Sequence, residues 1–332
     1  MTEGGPLTGG PLFGLPLAEV WFGLLFFVLA TFLFLDGFDF GVGALFGTRD
    51  DEAERETLLA AIGPFWDGNE VWLVVFGGTL FAAFPAVYAN LFGRHYLLTF
   101  GILAALIARG LAPEMYEQRE DDRWQRWWGR AFVGGSVAAP FFLGLFVGNW
   151  LVGATTAVTL PGVLVGLTLV ALVVVDGVAF LRVKTRGDLR ADLRATGYRA
   201  LAAYLVSLVV TLAAIAVTTP LGSAMASPSV AALVAATLTL AALHAAATVR
   251  DRRYLAFGSA GGLVYALVGV VAVLLYPQID PAAGLTVETA IVSTLPLNMM
   301  TVGAALLFPL IFAYFAVLYD SFSGPVEAGE GY

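Results

Sequence analysis

Five ionisable side chains, Asp36, Asp39, Asp67, Glu70 and Arg109, stand within or beside long apolar runs of this sequence. Charges set in lipid are costly, so they mark ion or proton paths or partners for one another. Asp36 and Asp39 lie three residues apart in Leu35-Asp36-Gly37-Phe38-Asp39-Phe40-Gly41, which puts them on one face of a helix. Asp67 and Glu70 have the same spacing in Trp66-Asp67-Gly68-Asn69-Glu70-Val71-Trp72. Such a group suits proton uptake, which needs carboxylates that titrate near neutral pH, a condition partial burial favours.

Each position also has a plainer reading. Asp67 followed by Glu70 is nearly a capping box opening a helix. Asp36 and Asp39 could be solvated acids where the first run frays at its glycines. Arg109 could snorkel to a nearby interface, or serve as counter-ion to Asp36, Asp39, Asp67, Glu70 or Glu114, or to an anionic cofactor group. Asp176 reads as a cap or snorkelling acid. His95 and His244 lie in separate runs, and the chain has no cysteine. Haem and metal sites use paired or clustered ligands, so both histidines read as structural.

The elements that carry these residues follow from composition. Of 332 residues, 59% are apolar and 13% charged, against roughly 25% charged in soluble domains. The net charge of −8 repels phosphate and excludes a nucleic-acid partner. The chain reads as an all-α polytopic membrane protein. Runs long enough to cross lipid lie near 18–46, 70–90, 96–115, 131–150, 160–182, 199–218, 230–248, 256–276 and 296–319, which predicts nine transmembrane helices.

Fifteen of the seventeen Lys and Arg fall in the links after the first, third, fifth and seventh runs. The positive-inside rule then places the N-terminus outside and the C-terminus in the cytoplasm. Trp21 and Trp150 fall at outer edges and Trp66, Trp72, Trp124, Trp127 and Trp128 at or near inner ones, as interfacial belts do. Met1 to Pro16 holds no Lys or Arg, so no secretory signal is expected there. Leu33-Phe34-Leu35-Asp36-Gly37 is echoed by Val173-Val174-Val175-Asp176-Gly177, which suggests a repeat of four helices with a ninth appended.

Two motifs carry a resemblance. Leu35 through Gly43 and Trp66 through Leu73, extended by Gly77 through Ala89, are similar to signatures of subunit II of cytochrome bd quinol oxidases, including the cyanide-insensitive oxidases. Arg109-Gly110, Gly148-Asn149, Lys184 through Leu189, Leu297 through Met300 and Tyr319 through Phe322 add support along nearly the whole chain. Pro113 before Glu114 departs from the family pattern.

The resemblance implies a single transmembrane domain over 1–332, with four-helix bundles at 18–150 and 160–276 and a peripheral helix at 296–319. It implies a partner, subunit I, that ligates haem b and haem d (or haem b alone) while this chain ligates none. It implies quinol as electron donor, dioxygen reduced to water, a prokaryotic plasma membrane, and room for a small accessory subunit. Asp67 would lie on a cytoplasmic proton path, with Asp36, Asp39, Glu70 and Arg109 as a supporting charge cluster. The alternative is a stand-alone proton-coupled secondary transporter, although such proteins interrupt helices near the bilayer midplane and these acids gather nearer one interface.

Overall fold

The structure is a computed structural model that describes residues 10–326; the first nine residues of the Met1 to Pro16 stretch, in which no secretory signal is expected, lie outside it. A 3-10 turn at Leu12–Gly14 precedes helices α1 (Leu17–Phe46), α2 (Glu52–Ala83), α3 (Pro85–Arg94), α4 (Tyr96–Glu117) and α5 (Asp122–Leu151). Then come α6 (Leu160–Lys184), α7 (Gly187–Thr218), α8 (Gly222–Met225), α9 (Pro228–Val249) and α10 (Arg253–Leu275). A small antiparallel hairpin, β1 (Gln278–Asp280) with β2 (Leu285–Thr286), leads into α11 (Val287–Ala290) and α12 (Thr294–Ser321).

Local chemistry sets the helix starts. Asp51, Asp121, Thr159 and Ser227 each accept a first-turn amide as N-cap, and Pro85, Pro161 and Pro228 sit in first turns, where no amide partner is lost. Among the described residues eight helices are long and apolar enough to cross a membrane. The second helix is not one of them, because Asp67, Asn69 and Glu70 make its apolar half too polar.

That helix corrects the second expected run. It starts at Glu52, not near 70, and ends where Phe84 leaves helical geometry ahead of Pro85. The charged links are also more helical than expected, since α5 begins at Asp122 and α7 at Gly187.

At the centre, α1 packs on α2, α5, α6 and α10, and α6 packs on α5, α7 and α10. The two helices run in the same direction and meet backbone to backbone. A Cβ on Gly41 would lie 2.8 Å from the Gly177 Cα, and one on Gly177 would lie 2.6 Å from the Gly41 Cα. Phe38 stacks on Phe180 just beyond, with centroids 4.0 Å apart. The echoed Asp-Gly strings therefore belong to neighbouring helices. Helix α12 lies outermost, touching α2 through Trp72, whose ring meets Phe308, Phe312 and Phe315.

At the end poor in arginine, Asp280 is fully buried and bound twice by Arg94, at 3.1 and 3.2 Å, and once by Asn90. Trp150 donates to the Ile279 carbonyl and Trp21 to the Thr301 hydroxyl. These two indoles and Trp72 are buried, so packing within the protein claims three residues expected at the interfaces.

Candidate functional site

Helices α1, α2 and α4 converge near the arginine-rich end around one guanidinium. Arg109 Nη2 lies 2.7 Å from Asp36 Oδ1 and 3.6 Å from Asp39 Oδ2, and Nη1 lies 3.7 Å from Glu70 Oε2. The guanidinium stands 4.8 Å over the Phe40 ring. Asp36, Asp39 and Arg109 are buried, while the Glu70 side chain is 32% exposed. Glu70 is thus the open side of the cluster.

The backbone fixes this arginine. A Cβ on Gly135 of α5 would lie 2.6 Å from the Arg109 amide nitrogen, so only glycine lets α5 press against α4 at this level. On the other side, Asn69 Nδ2 donates to Asp39 Oδ2 at 2.9 Å and to the Leu35 carbonyl at 3.0 Å. Its Oδ1 accepts from the Tyr319 hydroxyl at 2.9 Å. A continuous polar chain therefore runs Tyr319–Asn69–Asp39–Arg109–Asp36 through an otherwise apolar core.

Several plainer readings fail. Asp36 and Asp39 do not sit at a fraying end, because α1 continues to Phe46 and buries both. Asp67 and Glu70 do not cap a helix start, because α2 is capped by Asp51 and is well under way before them. Arg109 does not snorkel; it is held by Asp36. Asp176 is neither a cap nor a snorkelling acid: it is fully buried without a hydrogen-bond partner, its Oδ2 3.4 Å from where a Cβ on Gly37 would be.

The predicted site residues thus divide. Asp36, Asp39, Glu70 and Arg109 come together, whereas Asp67 and Glu114 are exposed and form no ion pair with Arg109. Asn69, Tyr319 and Asp176 join the arrangement without having been singled out for it. Asn69 lies within the Trp66 to Leu73 motif and Tyr319 begins the Tyr319 to Phe322 motif. The Asp-Gly echo was the signal for Asp176.

The histidines differ from each other. His244 Nδ1 is 2.9 Å from the Ala256 carbonyl oxygen, as a structural residue should be. His95 caps α4 at the opposite end of the bundle, against Phe146, with neither ring nitrogen hydrogen-bonded. Burial, then the charge of Arg94, holds its pKa below the usual imidazole range. Among the described residues no group of three or more His, Asp or Glu is placed to hold a metal ion.

An all-helical protein with several membrane-crossing helices, carrying a buried cluster of acids around one arginine near one end, belongs among energy-transducing or transport proteins of membranes. Residues 17–322 match the family described as cytochrome bd terminal oxidase subunit II, and the chain belongs to that family. It is 30% identical over 316 residues to cytochrome bd ubiquinol oxidase subunit 2 of Bacillus subtilis (strain 168), covering 89% of this chain and 92% of that one. It is 28% identical over 361 residues to cytochrome bd-I ubiquinol oxidase subunit 2 of Escherichia coli (strain K12), covering 93% and 95%. The fold is similar to that of bd oxidase from Geobacillus thermodenitrificans, with a TM-score of 0.73 at 16% identity over 93% of this chain and 99% of that chain.

The protein is therefore a subunit of a bacterial terminal oxidase and a multi-pass protein of the plasma membrane. The family implies haem in the complex. The residues of this chain do not fit a haem site: its two histidines lie at opposite ends of the bundle, and His244 already engages a carbonyl.

Proposed function

We propose that this chain partners a haem-bearing subunit I in a quinol-oxidising, dioxygen-reducing complex and supplies part of its proton path. Under this proposal the haems, b and d or b alone, are ligated by the partner and quinol is the donor; the relatives' names, cytochrome bd ubiquinol oxidase subunit 2 and its bd-I counterpart, support the electron donor. In this reading α2 crosses the membrane with the eight apolar helices, giving nine crossings. The N-terminus is outside and the arginine-rich end faces the cytoplasm. Helices α1, α2, α4 and α5 form one bundle, α6, α7, α9 and α10 the other, and α12 lies at the periphery.

The observation that carries the proton path is the imbalance around Arg109. Three carboxylates face one guanidinium, and a single cation offsets a single anion. Protons neutralise the remaining acids most cheaply in a low-dielectric core. Glu70 gives this store an edge toward the surface, and exposed Asp67, one turn earlier on α2, stands where protons would be collected. A stand-alone transporter is a poorer reading, since α1 runs unbroken past both of its acids.

The test uses the purified two-subunit oxidase. Asp39→Asn is expected to keep the haem absorbance and lower oxygen consumption, and Asp67→Asn to lower it less. Wild-type turnover in Asp39→Asn would remove the cluster from the path.

A further inference from the structure

Where α4 gives way to α5, at the arginine-rich end, a cavity of about 590 Å³ is lined by Arg119, Asp121, Arg123, Trp124, Trp127 and Trp128. Its parts are held in place. The Arg119 guanidinium lies 2.8 Å from Asp121 Oδ2 and 4.9 Å over the Trp124 ring. Trp124 is anchored by its Nε1 donating to the Met115 carbonyl, and it meets Trp128 with centroids 5.7 Å apart. Trp127 is 66% exposed.

The charge in the cavity is not balanced. Asp121 is committed on both oxygens, Oδ1 accepting the Trp124 amide and Oδ2 meeting Arg119. Arg123 forms none of the described ion pairs, so one guanidinium remains over. A second cavity, about 490 Å³, is lined by Arg126 and Arg130 of α5 and Arg55 of α2; Arg126 pairs with Asp122 and Arg55 with Glu52, while Arg130 forms none of the described ion pairs. Guanidinium matches phosphate oxygens in pairs, while indoles settle at the level of lipid headgroups and glycerol.

We propose that this cavity binds the headgroup of an anionic phospholipid, with Arg119 and Arg123 on the phosphodiester and the indoles against the glycerol and upper acyl chains. A free phosphate would satisfy the guanidinium groups but leave the exposed Trp127 ring uncovered; a lipid covers both. The volume falls in the range of small-molecule sites, roughly 300–1,000 Å³. The inference rests on the protein's place in a membrane and not on the proton path, so either can fail alone.

The experiment places the two-subunit oxidase in phosphatidylcholine nanodiscs containing a minor share of brominated phosphatidylglycerol, and separately of brominated phosphatidylcholine. Indole fluorescence is expected to be quenched preferentially by the brominated phosphatidylglycerol. Trp127→Phe should reduce that preference, with Trp124 and Trp128 still reporting from the cavity. The double variant Arg119→Gln/Arg123→Gln should weaken it about thirtyfold, about fivefold for each charge near an anionic surface. Haem absorbance and oxygen consumption should stay at wild-type levels, since neither arginine belongs to the Arg109 cluster.

Equal quenching by both brominated lipids overturns the proposal. So does an unchanged preference in the double variant, or displacement of the brominated lipid by inorganic phosphate alone. If the double variant does not assemble, the single variant Arg123→Gln decides: an unchanged preference overturns the site and a preference weakened about fivefold supports it.

Discussion

Tyr319, near the end of α12, donates its hydroxyl to Asn69 Oδ1 of α2 at 2.9 Å, across 250 residues of chain. The amide nitrogen of the same Asn69 holds Asp39. The outermost helix is therefore tied to the most buried charges of the protein through one side chain.

Tyr319→Phe removes that donor and leaves the Asn69 oxygen unmet in an apolar setting, at a cost of about 1–3 kcal/mol. The expected result is a lower melting temperature of the haem absorbance in the purified oxidase, with slower oxygen consumption as Asp39 loses its fixed neighbour. Asn69→Leu should do more on both readouts, because it abandons Asp39 and the Leu35 carbonyl together.

Arg109→Leu strands buried carboxylates, and breaking a buried pair by removing one partner costs about 3–5 kcal/mol. The yield of assembled complex should collapse. Arg109→Lys is expected to restore assembly in part, since one ammonium replaces the Asp36 contact but cannot also span to Asp39 and Glu70. Detergent-purified yield and melting temperature check both variants; equal stability in Arg109→Leu would show that the acids need no counter-ion.

Glycines at the α1–α6 contact and on α2 should differ sharply. Gly41→Val or Gly177→Val places atoms inside the facing backbone and should separate α1 from α6, abolishing assembly. Gly77→Ala meets nothing within 4 Å and should melt within about 0.5 kcal/mol of wild type, as surface substitutions do. Size-exclusion profiles of the expressed variants distinguish the two.

His95 makes the arginine-poor end sensitive to acid. Its folded pKa is depressed, so below about 6.5, the ordinary histidine value, the unfolded chain binds the proton more readily than the folded one. Stability is then full at neutral pH and declines as pH falls through that value. Melting temperature measured from pH 7.5 to 5 should fall less steeply in His95→Phe than in wild type. Parallel curves would remove the histidine as the cause.

Arg94 and Asp280 give the same end a salt bridge with one fully buried partner. Arg94→Gln leaves the Asp280 carboxylate with Asn90 alone and should cost about 3–5 kcal/mol. Limited proteolysis between β1 and α12 should then become faster. Asp280→Asn in the same background is expected to recover part of the loss, because it removes the stranded charge.

The residues in order are enough to establish a helical membrane protein, the location of most helices, and four members of the charge cluster, Asp36, Asp39, Glu70 and Arg109. The reason is local. Lipid demands apolar stretches about 20 residues long whose amides bond within one helix, and a charge inside such a stretch announces itself. The limits of the second helix were less legible, because Glu52 to Asp67 reads as a charged link until the Asp51 cap and the helical continuation are seen.

What only the tertiary structure decided is which faces meet. Asp67 and Glu70 share a motif and a helix, yet α2 turns Glu70 toward Arg109 and leaves Asp67 exposed. Asp176 reads like an interfacial acid until Gly37 and Gly41 let α6 close over it. Tyr319 reaches Asn69 only because α12 returns along α2. These pairings depend on close approach between helices far apart in the chain, and neither spacing nor hydropathy carries that information.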